Sequence, residues 1–315
     1  MGDYYHAGWL CVVKSISDLA AMGAIPSGVV VSVDLPPEAP VEYFDRFFEG
    51  VVECSEAHGT MLIAGNIKEA HAKDSRGEVV PQAVSCAIGY TPRGKALLRG
   101  APKPGDRLFV VDKAEFGGFW AGIATHLKAN VCSALQQDLV HQARQMALTP
   151  RAKVREAAAL LANSDIAFCM DNSDGLLASA LDLVKTNDVD AFLSIGTDQV
   201  SAVASRVAEA CGCDSRAWAL GWGACHLLCA ASPENTANAD SILRSLGSEM
   251  VVIGEVVAGS GTVIVNGGKV SAKTSSSLRG DQFNPDSFWQ IGVKKYADDM
   301  LSLSIEDIVS GNLIR

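Results

Sequence analysis

Ser15-Ile16-Ser17-Asp18-Leu19-Ala20-Ala21-Met22-Gly23-Ala24-Ile25-Pro26 sets a polar pair, Ser17 and Asp18, inside an apolar run. Over residues 8–22 the apolar side chains recur near helical spacing, and Gly23 followed by Pro26 is a stop signal, so the pattern predicts a helix there. The run is apolar on most of its faces, which places that helix in the interior. A carboxylate carried inside is unfavourable unless it meets a cation, a metal or several donors. Asp18 is therefore either a structural hydrogen-bond acceptor or a metal ligand, and a Ser-Asp pair is also an ordinary local capping element.

The chain's 315 residues suffice for two domains with their own cores. Hydrophobic content of 48% and charged content of 20% describe a soluble globular protein. No apolar run reaches the roughly 18 residues that span a bilayer. The first residues lack the basic region and apolar stretch of a secretory signal, so a cytoplasmic protein without membrane contact is expected. The nine cysteines are scattered, with Cys211 and Cys213 the closest pair, which argues for reduced thiols in the core. A net charge of −10 disfavours nucleic acid or an anionic membrane as partner. It leaves room for an anionic nucleotide that arrives with Mg²⁺, because a divalent ion reverses the local field.

Outward from the helix, strand and helix patterns alternate. Residues 28–35 (GVVVSVDL) have the valine density of a buried strand, 41–58 read as an amphipathic helix, and 60–64 as a short strand running into Gly65-Asn66. Residues 68–74 read as a polar loop and 79–90 as a strand, with Pro81 marking an edge or bulge. The segment 93–106 (RGKALLRGAPKPGD) is basic and rich in Gly and Pro, and it divides the chain into expected domains 1–100 and 101–315. Beyond it, strands are expected at 107–112, 166–170, 189–195, 223–231 and 250–256. Helices are expected from Gly117-Gly118 onward and at 132–148, 151–163, 176–186, 199–211 and 235–246. A hairpin around Asn266-Gly267-Gly268 and a helical region from Phe288 close the pattern.

Two further stretches look chemical. Met170-Asp171-Asn172-Ser173-Asp174-Gly175-Leu176 falls between a strand and a helix, and its two carboxylates with a hydroxyl between them suit Mg²⁺ or its waters. Equally, Ser173 or Asp174 suits a helix cap. Gly65-Asn66-Ile67-Lys68-Glu69 lets backbone approach a ligand, although Gly-Asn is also an ordinary turn. Other motifs fail: there is no GxxxxGK[ST] loop, the glycines at 259–261 and 267–268 lack a dinucleotide context, and the six histidines show no HExxH spacing.

In combination and order, Ser17-Asp18-Leu19-Ala20-Ala21-Met22-Gly23-Ala24, Ala64-Gly65-Asn66, the run ALLRGAPKPGD at 96–106, and Met170 through Leu176 resemble the thiamine-monophosphate kinase branch of the aminoimidazole-ribonucleotide-synthetase superfamily. The likeness runs over about residues 8–231. It implies an ATP-using enzyme without a P-loop and a two-domain α/β, PurM-like fold. In that fold the N-terminal domain joins a second subunit in a β-barrel, and ATP lies at the homodimer interface with Mg²⁺ ions bridged by aspartates. Carried over position by position, Asp18, Asp171 and Asp174 match magnesium ligands, with Asp18 and Asp174 the expected catalytic pair. Arg99, Ser173 and Gly65 match nucleotide contacts, and Asn66 lies beside Gly65 in that site. Carboxylate-held Mg²⁺ suits phosphoryl transfer, which needs positioning and charge neutralisation.

Departures from the family pattern are equally specific. Asn66 stands where the kinases carry a metal-binding aspartate. Where they carry a Gly-Glu-Asp-Tyr-Glu-Leu type segment for substrate, this chain reads Gly221-Trp222-Gly223-Ala224-Cys225-His226-Leu227-Leu228, with no acid left. The family's opening Asp-Asp and Thr-Thr-Asp region has no counterpart here: a late start, a partner-supplied strand or a shortened relative each account for it. The expectation is a homodimeric Mg-ATP-dependent enzyme that phosphorylates, or activates through phosphate, a small molecule other than thiamine phosphate, with Trp222 and His226 facing that substrate. The alternative is a catalytically weakened nucleotide-binding or scaffold subunit. A Cys225-His226 nucleophile is disfavoured because neighbours on a strand point to opposite faces. Phe283, Phe288 and Trp289 lie near the tail position where the kinases close their substrate pocket, and either cover an acceptor there or pack on the C-terminal helix.

Overall fold

Helix α1 spans Tyr4–Ala21 and begins four residues before the apolar periodicity does. Asp3 caps it, accepting from the His6 amide, and the His6 ring returns to the Asp3 backbone; this polar first turn escapes a hydrophobic pattern. The helix stops as expected, with Gly23 at φ 67° donating to the Ala20 carbonyl at 2.8 Å. This architecture comes from a computed structural model that describes residues 3–71, 79, 81–271, 274, 278 and 292–313. Phe283, Phe288 and Trp289 lie outside the described residues.

Strand β1 (Ile25–Leu35), α2 (Val41–Ala57), β2 (Leu62–Glu69) and β3 (Gln82–Tyr90) follow. Among the described residues they form a three-stranded sheet in the order β2-β1-β3, with β1 parallel to β2 and antiparallel to β3. Alternation sends Val29, Val31 and Val33 to one face, where they pack against Trp9, Val12, Val13 and Ile16 of α1 and Phe47 and Val51 of α2. The two helices cross closely because glycines meet backbone: a methyl on Gly8 would strike the Phe47 carbonyl, and one on Gly50 the Tyr5 carbonyl. Lys68 and Glu69, expected in a loop, instead extend β2 by pairing with Asp34 and Leu35.

Among the described residues the second sheet has seven strands in the order β10-β9-β6-β8-β4-β7-β5. They are β4 (Arg107–Val111), β5 (Phe168–Asp171), β6 (Val189–Leu193), β7 (Leu227–Ala231), β8 (Met250–Ala258), β9 (Val263–Val265) and β10 (Gly268–Lys269). Its central strands are buried on both sides. Leu108 and Val110 of β4 join the cluster under α3 (Gly118–Leu127), α7 (Leu176–Asn187) and α8 (Ala202–Cys211). Phe109 and Val111 face α6 (Val154–Asn163) and α10 (Pro233–Ser245). Helices α4 (Ala129–Cys132), α5 (Gln137–Leu148), α9 (Ser215–Leu220), α11 (Val293–Ser302) and α12 (Ile305–Ser310), with a short 3-10 turn at Lys113–Glu115, complete the described elements. Several bounds shift: the helix expected at 132–148 is broken by a turn before α5, the helices expected from 151 and 199 start at Val154 and Ala202, the strand expected at 189–195 ends at Leu193, and β7 starts at Leu227, with Gly223 at φ 108° outside it. The result is a mixed α/β protein with two domains, and no described helix is long and apolar enough to cross a membrane.

Candidate functional site

The site lies where α1 meets the end of β5. The Leu97 amide donates to the Met22 carbonyl at 3.0 Å, and the Cys169 amide to the Leu98 carbonyl at 2.9 Å. Segment 97–99 is thereby fixed between the helix end and the strand. A cavity of about 240 Å³ opens there, lined by Asp18, Met22, Leu98, Arg99, Met170 and Asp171 among others. Residues separated by more than 150 positions in the sequence thus share one cleft.

Strand β5 delivers Asp171 at its last position, and the loop that follows is held from several sides. The Asn172 amide donates to the His226 carbonyl at 2.8 Å, and the Gly175 amide to the Asn172 carbonyl at 3.1 Å. Ser179 of α7 donates to the Asp171 carbonyl at 3.1 Å. Asp171 itself is buried, and its Oδ2 accepts from the Ser17 hydroxyl and from the Ser173 amide, each at 3.3 Å. Gly175 at φ 111° makes the turn into α7, where a side chain would press on the backbone of Gly221 and Trp222.

Burial and the negative charges of Asp171 and Asp174 push the Asp18 carboxyl up to about 6, against the opposing pull of Arg99 and Lys14. Carboxylates close enough to push Asp18 up form a set whose repulsion a divalent cation relieves. Among the described residues no group of three or more His, Cys, Asp or Glu stands ready to hold a metal unaided. Mg²⁺ is commonly held by one or two carboxylates, waters and substrate phosphates. The residues present therefore fit Mg²⁺ that arrives with a phosphate ligand, with Arg99 as a cation lining the same cavity.

Other residues singled out in the sequence stand elsewhere. Gly65 and Asn66 sit on the exposed β2, and Asn66 pairs with Ser32, which puts it on the sheet face turned away from α1. Trp222 belongs to an aromatic cluster: its Nε1 donates to the Tyr296 hydroxyl at 3.0 Å, and its ring stands edge-on to Trp120 at 5.4 Å. His226 is buried at 1% exposure, edge-on to Phe116, so it is enclosed in the fold and does not line an open pocket. Burial, with Lys153 nearby, pushes its imidazole down to about 4. Cys225 packs with the α1 core instead, and burial raises its thiol, so these two neighbours do point apart. Lys14, which the apolar pattern hides, donates from Nζ to the Gly223 carbonyl at 2.6 Å.

The two-domain α/β fold is that of an AIR synthase related protein, and the family "AIR synthase related protein, N-terminal domain" matches residues 1–90. Within that class the chain belongs to the thiamine-monophosphate kinase family. It is 30% identical over 259 residues to the thiamine-monophosphate kinase of Escherichia coli K12, a match covering 81% of this chain and 74% of the relative. The crystal structure of thiamine-monophosphate kinase from Stenotrophomonas maltophilia K279a superposes with a TM-score of 0.71 at 25% identity, over 84% of this chain and 79% of that one. A structure of AaThiL complexed with AMPPCP and TMP superposes with a TM-score of 0.70 at 24% identity, over 86% and 79% of the two chains.

Proposed function

We propose that this protein is a Mg-ATP-dependent phosphotransferase whose acceptor is a small molecule other than thiamine phosphate. The observation that carries the ATP site is the convergence of Asp18, Arg99 and Asp171 on one cavity. It is supported by the relatives, named thiamine-monophosphate kinases, and by the solved neighbour that holds AMPPCP and TMP. The changed acceptor rests on segment 221–228, which has no acidic side chain and turns Trp222 toward an aromatic cluster and His226 into the core.

In this reading Asp18 and Asp171 hold Mg²⁺, Asp174 assists from the next turn of the loop, and Arg99 neutralises nucleotide phosphate. Mg²⁺ supplies charge neutralisation and alignment of the phosphates when bound. Ser17 and the Ser173 amide keep the Asp171 carboxylate oriented, and the Ser173 hydroxyl and the exposed backbone at Gly65-Asn66 are further nucleotide contacts. The cavity alone is smaller than the roughly 300 Å³ of an ordinary ligand pocket. Phosphates therefore lie in it, with the nucleoside along the open surface.

We further propose a homodimer that buries the outer face of the three-stranded sheet. Ile63, Val84 and Ile88 stand exposed on that face, an arrangement that a lone soluble domain rarely leaves uncovered. The domains are taken as 1–100 and 101–315, supported by β3 ending at Tyr90 and β4 starting at Arg107. A second reading, a nucleotide-binding subunit with weakened catalysis, is favoured by Asn66, a neutral amide turned away from α1.

The test is ADP release against Mg²⁺, with thiamine phosphate and a panel of small alcohols, carboxylates and amides as acceptors. Acceptor-dependent ADP release, lost in Asp18→Ala and Asp174→Ala, is the expected result. Turnover unchanged in both variants overturns the site, and thiamine phosphate as best acceptor overturns the substrate reading. Binding of an ATP analogue without turnover on any acceptor favours the second reading.

A further inference from the structure

Lys14 precedes Asp18 by one helical turn on α1, so the two side chains leave the same face of the helix. The Lys14 ammonium donates to the Gly223 carbonyl at 2.6 Å, and the Gly223 amide donates to the Ser173 carbonyl at 2.9 Å. The cation is thereby tied to the loop that carries Asp171, Ser173 and Asp174. Gly223 sits at φ 108°, and a side chain there would strike the Phe119 ring, so the position is kept for glycine.

The known partner of this ammonium is a neutral carbonyl, and among the described residues it enters no ion pair. An ammonium has three N–H donors, so donors remain for an anion. Segment 221–228 around it holds no acid. Its charge is felt in the site, pulling against the upward shifts of Asp18 and Cys225 and adding to the fall of His226.

The order along α1 gives the cleft a direction. Met22 and Asp18 line the cavity from α1 together with Arg99, and Lys14, outside that lining, lies one turn beyond Asp18 along the helix, toward the loop at Gly223. At about 1.5 Å rise per residue the distance along the helix axis from residue 22 to residue 14 is roughly 12 Å, room for an extended polyphosphate. Arg99 then serves one end of the polyphosphate and Lys14 the other, next to segment 221–228.

We propose that Lys14 binds the terminal phosphoryl group of ATP, its ammonium donating to the non-bridging oxygens of the group that is transferred. This rests on the reading of the cleft as a Mg-ATP site. Lys14 supplies fixed positive charge on the acceptor side, where segment 221–228 carries no carboxylate to hold another metal ion.

The test is calorimetric titration of wild type, Lys14→Met, Lys14→Gln and Lys14→Arg with Mg-AMPPNP and, separately, Mg-ADP. Gln can keep the hydrogen bond to the Gly223 carbonyl without the charge, so it tests the proposal even where Met perturbs folding. Loss of a charge-assisted bond predicts about 10- to 100-fold weaker Mg-AMPPNP binding in the Met and Gln variants. Mg-ADP affinity should stay within about threefold, and Arg should restore most of the Mg-AMPPNP affinity. Equal loss for both nucleotides, or no loss for either, overturns the role of Lys14 while leaving the nucleotide site standing. No binding of either nucleotide to wild type overturns the site itself.

Discussion

The buried hydroxyl of Ser17 donates to Oδ2 of Asp171 at 3.3 Å, joining the helix over the first sheet to the edge strand of the second. The same oxygen accepts from the Ser173 amide at 3.3 Å, so one carboxylate is aimed by both domains. A buried carboxylate that loses a donor loses part of its solvation as well as the bond. Ser17→Ala should therefore lower stability by about 1–2 kcal/mol in urea unfolding. It should also weaken Mg-AMPPNP binding about tenfold, because Asp171 is then free to turn from the cleft. Unchanged affinity would show that the Ser173 amide orients Asp171 alone.

Asp18 gives the site a pH signature. Its folded-state value of about 6 lies above the ordinary 3.8, so the protonated form is the one favoured by folding. The stability it contributes is fully present below about pH 4 and is lost as pH rises through about 6. Asp18→Asn cannot ionise. Without Mg²⁺ it should be more stable than wild type at pH 7.5 by about 1 kcal/mol, a figure discounted for the solvent that reaches this side chain. The difference should vanish near pH 4, and Mg-AMPPNP should raise the melting temperature of wild type far more than that of the variant. Thermal melts at both pH values check this; a variant less stable at pH 7.5 refutes the repulsion.

Much of this was legible in the sequence. The Val29-Val31-Val33 alternation and the apolar body of α1 specify their own packing, and the run from Asp171 to Gly175 declares a strand, a turn and a helix start. Lys14 was not legible, since one lysine in an apolar helix reads equally well as a side chain that snorkels to water. Helix α9 was missed because six residues give too short a period to recognise. The approach of Arg99 to Asp18 depends on hydrogen bonds from Leu97 to Met22 and from Cys169 to Leu98, which no local pattern encodes. His226 reads as a substrate contact by position, but its burial is set by Phe116 and the strands on either side.

The crossing of α1 on α2 should be intolerant of a single methyl group. Gly50→Ala sets a Cβ against the Tyr5 carbonyl, an atom of backbone that cannot rotate aside. Overpacking of this kind destabilises by about 1–3 kcal/mol, and separation of the helices would add to it by loosening Trp9 and Val51. Gly59→Ala, whose added methyl meets nothing within 4 Å, is the control for chain chemistry although its φ of 70° carries a strain of its own. Urea unfolding should rank Gly50→Ala below Gly59→Ala; the reverse order would mean that the helices separate at little cost.

Lys153 is the other cation that the fold depends on, and its role differs from that of Lys14. It is 4% exposed and pairs with Asp112 and, at 3.2 Å, with Glu115. Burial alone would lower the ammonium, but the two carboxylates overcome it and raise Lys153 above its ordinary value. Asp112 is pushed up by burial, yet the charge of Lys153 holds it below the usual carboxylate range. Asp112 also sits at φ 75°, a conformation that a non-glycine residue adopts only where surroundings enforce it. Lys153→Met leaves two carboxylates inside the fold without their cation, a change that costs about 3–5 kcal/mol. Asp112 and Glu115 pull in opposite directions: the depressed Asp112 gives stability that is present at neutral pH and lost as pH falls through the acid range, while Glu115, raised by burial and by Asp112, contributes the opposite way. In the variant the stranded carboxylates take up protons more readily, so acid relieves their burial. The stability gap between wild type and Lys153→Met should accordingly be widest near pH 7 and narrow by pH 5, as read from urea midpoints, and a gap independent of pH would assign the loss to packing of the lysine stem.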